Sequence, residues 1–255
     1  MPEMDDDVIV LEIVDTSPRP WGLWATLGLS LVVIGMFLII QTGVVVAWVA
    51  AATVMHQGHL PPSFVQGLSS NGLLLSLANW ATLPFTLALI ALFVKQRRNW
   101  SVWDYLAVRR VPVRTMLIWL GILALVMAGL AGVEQFVDHS SGDEYMRGIC
   151  RTAGFLPLLW ATLLLQAPLF EEVLFRGFMF RGIQQSRLGS AGAILITSLA
   201  WTAMHVQYDA FGLATVFLLG IVFGIARRTS GSICVTLVMH LAYNLVSLIM
   251  VQFFS

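Results

Sequence analysis

Charge is what this sequence has least of. Lysine and arginine number 14 in 255 residues and aspartate and glutamate 14, so 11% of the chain is charged, against roughly a quarter in ordinary globular domains. The formal net charge is zero, which argues against both a basic nucleic-acid surface and an acidic binding tract. Cysteine is nearly missing: Cys150 and Cys234 fall in different segments. They are too few for a disulfide framework or a thiolate cluster and read as small buried or interfacial side chains. The N-terminus lacks the basic start and short apolar core of a signal peptide. No internal repeat relates the two halves, which argues against an inverted-repeat transporter. A His-Glu-x-x-His pair is absent, which removes the usual zincin arrangement. No serine-nucleophile motif lies in a span, and Tyr208-Asp209 has no second aspartate motif to partner it.

What is present is hydrocarbon. The chain is 58% hydrophobic with a mean hydropathy of +0.84, and its apolar runs have the ~17–25 residues needed to cross a bilayer. The fold class expected is all-α, a polytopic transmembrane bundle of about seven spans in the cell membrane. The spans expected are about Trp24 to Ala50, Leu73 to Val94, Met116 to Val133, a fourth from near Phe155, then Ala191 to Val206, Leu213 to Ala226 and Ser232 to Phe253. Residues 1–20 read as an acidic cytoplasmic tail, 21–150 as N-terminal membrane helices and 151–255 as the functional part. Between the second and third spans, Trp100, Trp103 and Tyr105 stand among Lys95, Arg97, Arg98, Arg109, Arg110 and Arg114, the composition of a segment at headgroup level. That cluster falls on the tail side with Arg19, Arg176, Arg181, Arg187, Arg227 and Arg228, whereas the opposite side receives Arg147 and Arg151. The positive-inside bias predicts a cytoplasmic N-terminus. Gly220 and Gly224, four apart in the sixth span, predict close helix packing.

Three polar clusters interrupt the late spans: Glu171, Glu172 and Arg176; Trp201 and His205; His240 and Asn244. Ionisable groups inside a span are costly and mark functional sites. Residues four apart share a helix face, which pairs Glu172 with Arg176, Trp201 with His205 and His240 with Asn244. Glu171 is turned about 100° from Glu172. One division pairs Glu172 with Arg176 and leaves Glu171 facing an inner cavity; the opposite division fits the sequence equally. A free carboxylate, two imidazoles and an amide are the parts of an amide-hydrolysing site. They are also parts of interhelical packing or of a proton relay. His56, His59 and His139 lie in loops and receive no role. If the fourth helix ended at Glu172, its carboxylates would sit at the surface and never meet His205. The helix is therefore predicted to continue past Arg176, with Arg181 and Arg187 at its exit and the fifth helix tilted or short.

Glu171-Glu172-Val-Leu-Phe-Arg176, Trp201-Thr-Ala-Met-His205 and His240-Leu-Ala-Tyr-Asn244, in that order, resemble the signature of the CAAX prenyl endopeptidase and bacteriocin-processing (CPBP, Abi) family. The resemblance covers roughly Leu156 to Phe253. It implies an intramembrane endopeptidase acting on a membrane-anchored protein or peptide, CAAX-type or otherwise lipidated, with the lipid bilayer as its setting and no nucleic acid as partner. It further implies that Glu171 activates water, that His205 assists, that His240 and Asn244 stabilise an oxyanion or hold the site together, and that Glu172 and Arg176 support it. The family is labelled metalloprotease in part, so Glu171, His205 and His240 become a candidate zinc set. Three ligands and an open position suit catalytic zinc, while metal-free oxyanion stabilisation suits the same residues. The departure is Trp201 where phenylalanine is usual, read as a change of ring size at a packing position. A non-enzymatic membrane scaffold or immunity protein retaining the motif is the alternative, and a proton-coupled transporter a further one.

Overall fold

The computed structural model describes residues 19–136 and 141–253. The acidic tail lies almost wholly outside this range, as do Asp138 and His139. Among the described residues the chain is all-helical. Six helices are long and apolar enough to cross a membrane: α1 (Leu23–Met55), α3 (Gly72–Lys95), α5 (Val113–Glu134), α7 (Leu156–Gln184), α9 (Ala210–Ser230) and α10 (Ile233–Phe253). Shorter helices are α2 (Pro62–Gly67), α4 (Val102–Leu106), α6 (Ser141–Arg151) and α8 (Gly189–Thr202). The protein is a multi-pass integral membrane protein, and large apolar side chains such as Ile39, Phe85 and Leu125 stand exposed on its outer surface, as lipid-facing positions do.

Capping chemistry sets the helix ends. Asn71 accepts from the Leu74 N–H at the start of α3, Ser101 from Asp104 at α4, and Asp209 from Gly212 at α9; each satisfies a first-turn donor with no intrahelical partner. α9 stops at Gly231, whose φ of +70° is readily adopted only without a Cβ. The chain after α4 is tied to the start of α10: Ile233 N–H donates to Ala107 O at 3.0 Å, and the Ser232 hydroxyl to Arg109 O at 2.6 Å. Arg181 of α7 donates to the backbone carbonyls of Tyr105 and Asp104 while lying over the Trp100 ring. The basic, aromatic segment expected at headgroup level is thus the short helix α4, fastened to the exit of α7.

Close approaches hold the spans together. A Cβ on Gly220 would meet Ser198 Cβ at 2.9 Å, and one on Gly224 would meet Ile194 Cγ2 at 3.0 Å, so α8 and α9 pack through their small residues. A Cβ on Gly72 would lie 2.0 Å from the backbone oxygen of Ile149, which seats α3 against α6. The core between α7, α8, α9 and α10 is aromatic, with Phe175, Phe178, Phe180, Trp201 and Phe223 all buried.

Two expectations are corrected here. The fifth helix does not reach Val206; it ends at Thr202, and His205 lies beyond it in the turn leading to α9. Arg227 is not a charge at the membrane surface but is buried in the bundle. The fourth helix does run past Arg176 to Gln184. Glu172 stands twelve residues before the end of α7 and Trp201 twelve after the start of α8, so at 1.5 Å per residue both lie about 18 Å from the turn joining them. A short fifth helix is what brings the motifs to one depth.

Candidate functional site

Helix α7 is irregular where it carries the carboxylates. Thr162–Gln166 and Glu172–Met179 are wound as π-helix, with Ala167–Glu171 as a short α segment between them. Such wide turns are frequent at functional sites, and at membrane depth their backbone groups need partners from within the protein. Asn244 of α10 donates its amide to Leu163 O at 2.8 Å. On the same segment, Trp80 donates to the Thr162 hydroxyl and Gln166 to Asn79 O. In the second π segment Arg227 Nε donates to Arg176 O at 2.9 Å. The helix around Glu171 is thereby held from α3, α9 and α10.

The two carboxylates occupy different surroundings. Glu172 is 0% exposed and accepts from Arg176 Nη1 at 3.1 Å on Oε1. The same oxygen lies 3.0 Å from His240 Nδ1. Arginine can only donate, so Oε1 is an acceptor and the His240 Nδ1 carries its proton toward it. Glu171 keeps 16% of its side chain exposed; its Oε2 lies 3.8 Å from His240 Nε2 and accepts from the indole N–H of Trp201. His240 therefore stands between the two acids, one nitrogen toward each. The Arg176 guanidinium, itself fully buried, lies over the Trp201 ring at 4.3 Å and the Phe223 ring at 5.4 Å. Cation–π contact is worth most where water is excluded.

His205 is placed by its own strand of the network. Its Nδ1 lies 2.8 Å from Trp201 O; a carbonyl only accepts, so Nδ1 is protonated and Nε2 is left with a free lone pair in the neutral ring. The ring meets the Trp201 indole edge-on at 5.3 Å and stacks on Tyr208 at 5.8 Å, and Tyr208 meets Tyr145 of α6 at 6.3 Å. Burial, followed by the neighbouring Glu171 carboxylate, raises the proton affinity of the Tyr208 phenol, so it stays a neutral hydroxyl.

The six residues singled out from sequence are thus brought to one region of the bundle, with Glu171, Glu172, Arg176 and His240 in direct contact, His205 one ring away and Asn244 on the neighbouring backbone. A zinc set of Glu171, His205 and His240 does not assemble: among the described residues no three His, Cys, Asp or Glu side chains are grouped to hold a metal ion. Two participants escaped the sequence reading. Trp201 contributes a chemical group, its N–H, and not only ring size. Arg227 follows Gly220 and Gly224 at i+7 and i+3, the spacing of one helix face, and that register was the available signal for its burial.

Residues 153–246 match the family model described as type II CAAX prenyl endopeptidase Rce1-like, a segment that holds all six residues. An Escherichia coli protein described as an uncharacterized 24.3 kDa protein is 32% identical over 127 residues, which is 49% of this chain and 55% of that relative. The match spans about half the length of that curated relative. No solved structure matches the chain.

Proposed function

We propose that this protein is an intramembrane endopeptidase that hydrolyses a peptide bond of a membrane-anchored substrate, with Glu171 as the base that activates water. The observation that carries this reading is the unequal pair of carboxylates. Glu172 is closed off by Arg176 and His240, while Glu171 retains exposure in mid-span beside an imidazole. A partly exposed carboxylate at hydrogen-bonding reach of water is the geometry a general base needs. The Rce1-like match over the same segment supports a CAAX-type substrate, a protein tail held at the membrane by its lipid.

Position assigns the other roles. His240 stands between the two acids, Nδ1 toward Glu172 and Nε2 toward Glu171. A proton carried on Nε2 faces the water-activating carboxylate and is available to the oxyanion that develops on the substrate carbonyl. Glu171 takes a proton from water as its oxygen bonds to the carbonyl carbon. The C–N bond then breaks, and the amine leaves with a proton returned by the site. His205, with Nε2 free, is the second proton carrier. Asn244 holds α7 through Leu163 O. No step is routed through a metal, since the side chains do not form a ligand set. The site opens, on this reading, to a wet cavity on the cytoplasmic face, the side on which the positive-inside bias of the sequence predicts the N-terminus.

The test uses the purified protein in lipid vesicles with a prenylated CAAX-tailed peptide, products read by mass spectrometry. Cleavage at one bond is expected, with Glu171→Gln slower by about 10²–10⁴-fold, His205→Ala also impaired, and chelator without effect. Equal cleavage by wild type and Glu171→Gln, with both folded, would overturn the reading and leave the cluster a packing device.

A further inference from the structure

A group hydrogen-bonded to the Glu171 carboxylate is neither acid nor base. It is the indole N–H of Trp201, which donates to Oε2, the oxygen that also faces His240 Nε2 at 3.8 Å. The indole is itself immobilised. Arg176 lies over its ring at 4.3 Å, Phe223 stacks on it at 5.8 Å, and His240 meets it edge-on at 5.3 Å. Trp201 is buried near the C-terminal end of α8, whose small residues pack against α9, so the donor is fixed to rigid helix and not to a loop. A guanidinium over the ring draws electron density from the indole and strengthens its N–H as a donor. Phenylalanine would reproduce the ring contacts but offers no N–H.

We propose that Trp201 is a positioning residue for Glu171: its N–H holds the carboxylate in one rotamer, Oε2 toward His240, and leaves Oε1 as the oxygen that meets water. This rests on the reading of Glu171 as the base. A donor fixed in this way binds a carboxylate more strongly than the corresponding acid, so it also sets where on the pH scale the base becomes competent. The ionisable groups that act on Glu171 are Arg176 on its own helix, His240 from α10 and Tyr208 from the turn after α8; Glu172 is its chain neighbour, and His205 packs on the Trp201 and Tyr208 rings. Trp201 donates to Glu171 without being ionisable, and its removal changes no formal charge. Its effect can therefore be separated from that of its charged neighbours.

The experiment compares wild type, Trp201→Phe and Trp201→benzothienylalanine, an isostere in which sulfur replaces only the N–H, in vesicles with the prenylated peptide. We expect kcat to fall about tenfold with KM within about twofold, and the acidic limb of the rate–pH profile to move up by about one pH unit, for both variants. In parallel, the carboxylate infrared band assigned by subtracting the Glu171→Gln spectrum is titrated in each protein, with the midpoint expected to move the same way. A wild-type limb and a wild-type infrared midpoint in the benzothienylalanine protein would overturn the proposal. If the wild type proves inactive on every lipidated peptide, the hydrolytic reading fails, while the infrared titration still decides whether Trp201 governs Glu171.

Discussion

Arg227 Nε donates to the backbone carbonyl of Arg176 at 2.9 Å, across the fifty-one residues that separate them in sequence. A cation at the end of a span has been drawn inward, over the Phe180 ring, to satisfy a carbonyl in the π-wound stretch of α7. Replacing it by a side chain of similar reach without donors, Arg227→Met, leaves that carbonyl unpaired. We expect a loss of about 1 kcal/mol, the scale of a hydrogen bond within a membrane bundle, read as a lower melting temperature in detergent. An unchanged melt would mean that the carbonyl finds another donor.

The Glu172–Arg176 pair is fully buried. Removing either partner strands a charge, so Glu172→Gln and Arg176→Met should each destabilise by about 3–5 kcal/mol. The double variant should recover a large part of that loss, because no unpaired charge remains. Activity should not return with stability, since His240 loses the acceptor that orients it. Chemical denaturation of the four proteins in a double-mutant cycle measures the coupling.

Asn244 offers a sharper contrast. Its amide donates to Leu163 O, so what matters is the N–H and not the oxygen. Asn244→Asp should therefore lose stability as Asn244→Ala does, by about 1 kcal/mol. A residue acting only on the oxyanion would instead cost turnover and leave the melting temperature in place, which separates the two roles in one pair of measurements.

At Gly72 the constraint is steric. A Cβ there would sit 2.0 Å from the backbone oxygen of Ile149, and backbone cannot step aside as a side chain can. Gly72→Ala should cost about 1–3 kcal/mol by overpacking, whereas Gly121→Ala on α5, with nothing within 4 Å of the added carbon, should be neutral or slightly stabilising. Paired thermal melts decide it.

Sequence alone determined that the chain is a bundle of membrane-crossing helices, because nothing but lipid tolerates so many long runs without charge. It also singled out the side chains that the fold brings to one region of the bundle, because ionisable groups are scarce enough in hydrocarbon for each to stand out. The spacing of Glu172 and Arg176, and the need for α7 to continue to Gln184, followed from helical period and rise. Tertiary structure decided what periodicity cannot carry. It made Glu172 the closed acid and Glu171 the open one, a choice set by which neighbour reaches which oxygen. It ended α8 at Thr202, where a run of apolar letters gave no signal to stop, and so left His205 in a turn. It converted Trp201 from a ring into a hydrogen-bond donor and Arg227 from a surface charge into a buried brace. Each of these depends on the approach of helices distant in sequence, and such approaches are fixed by packing, not by local preference.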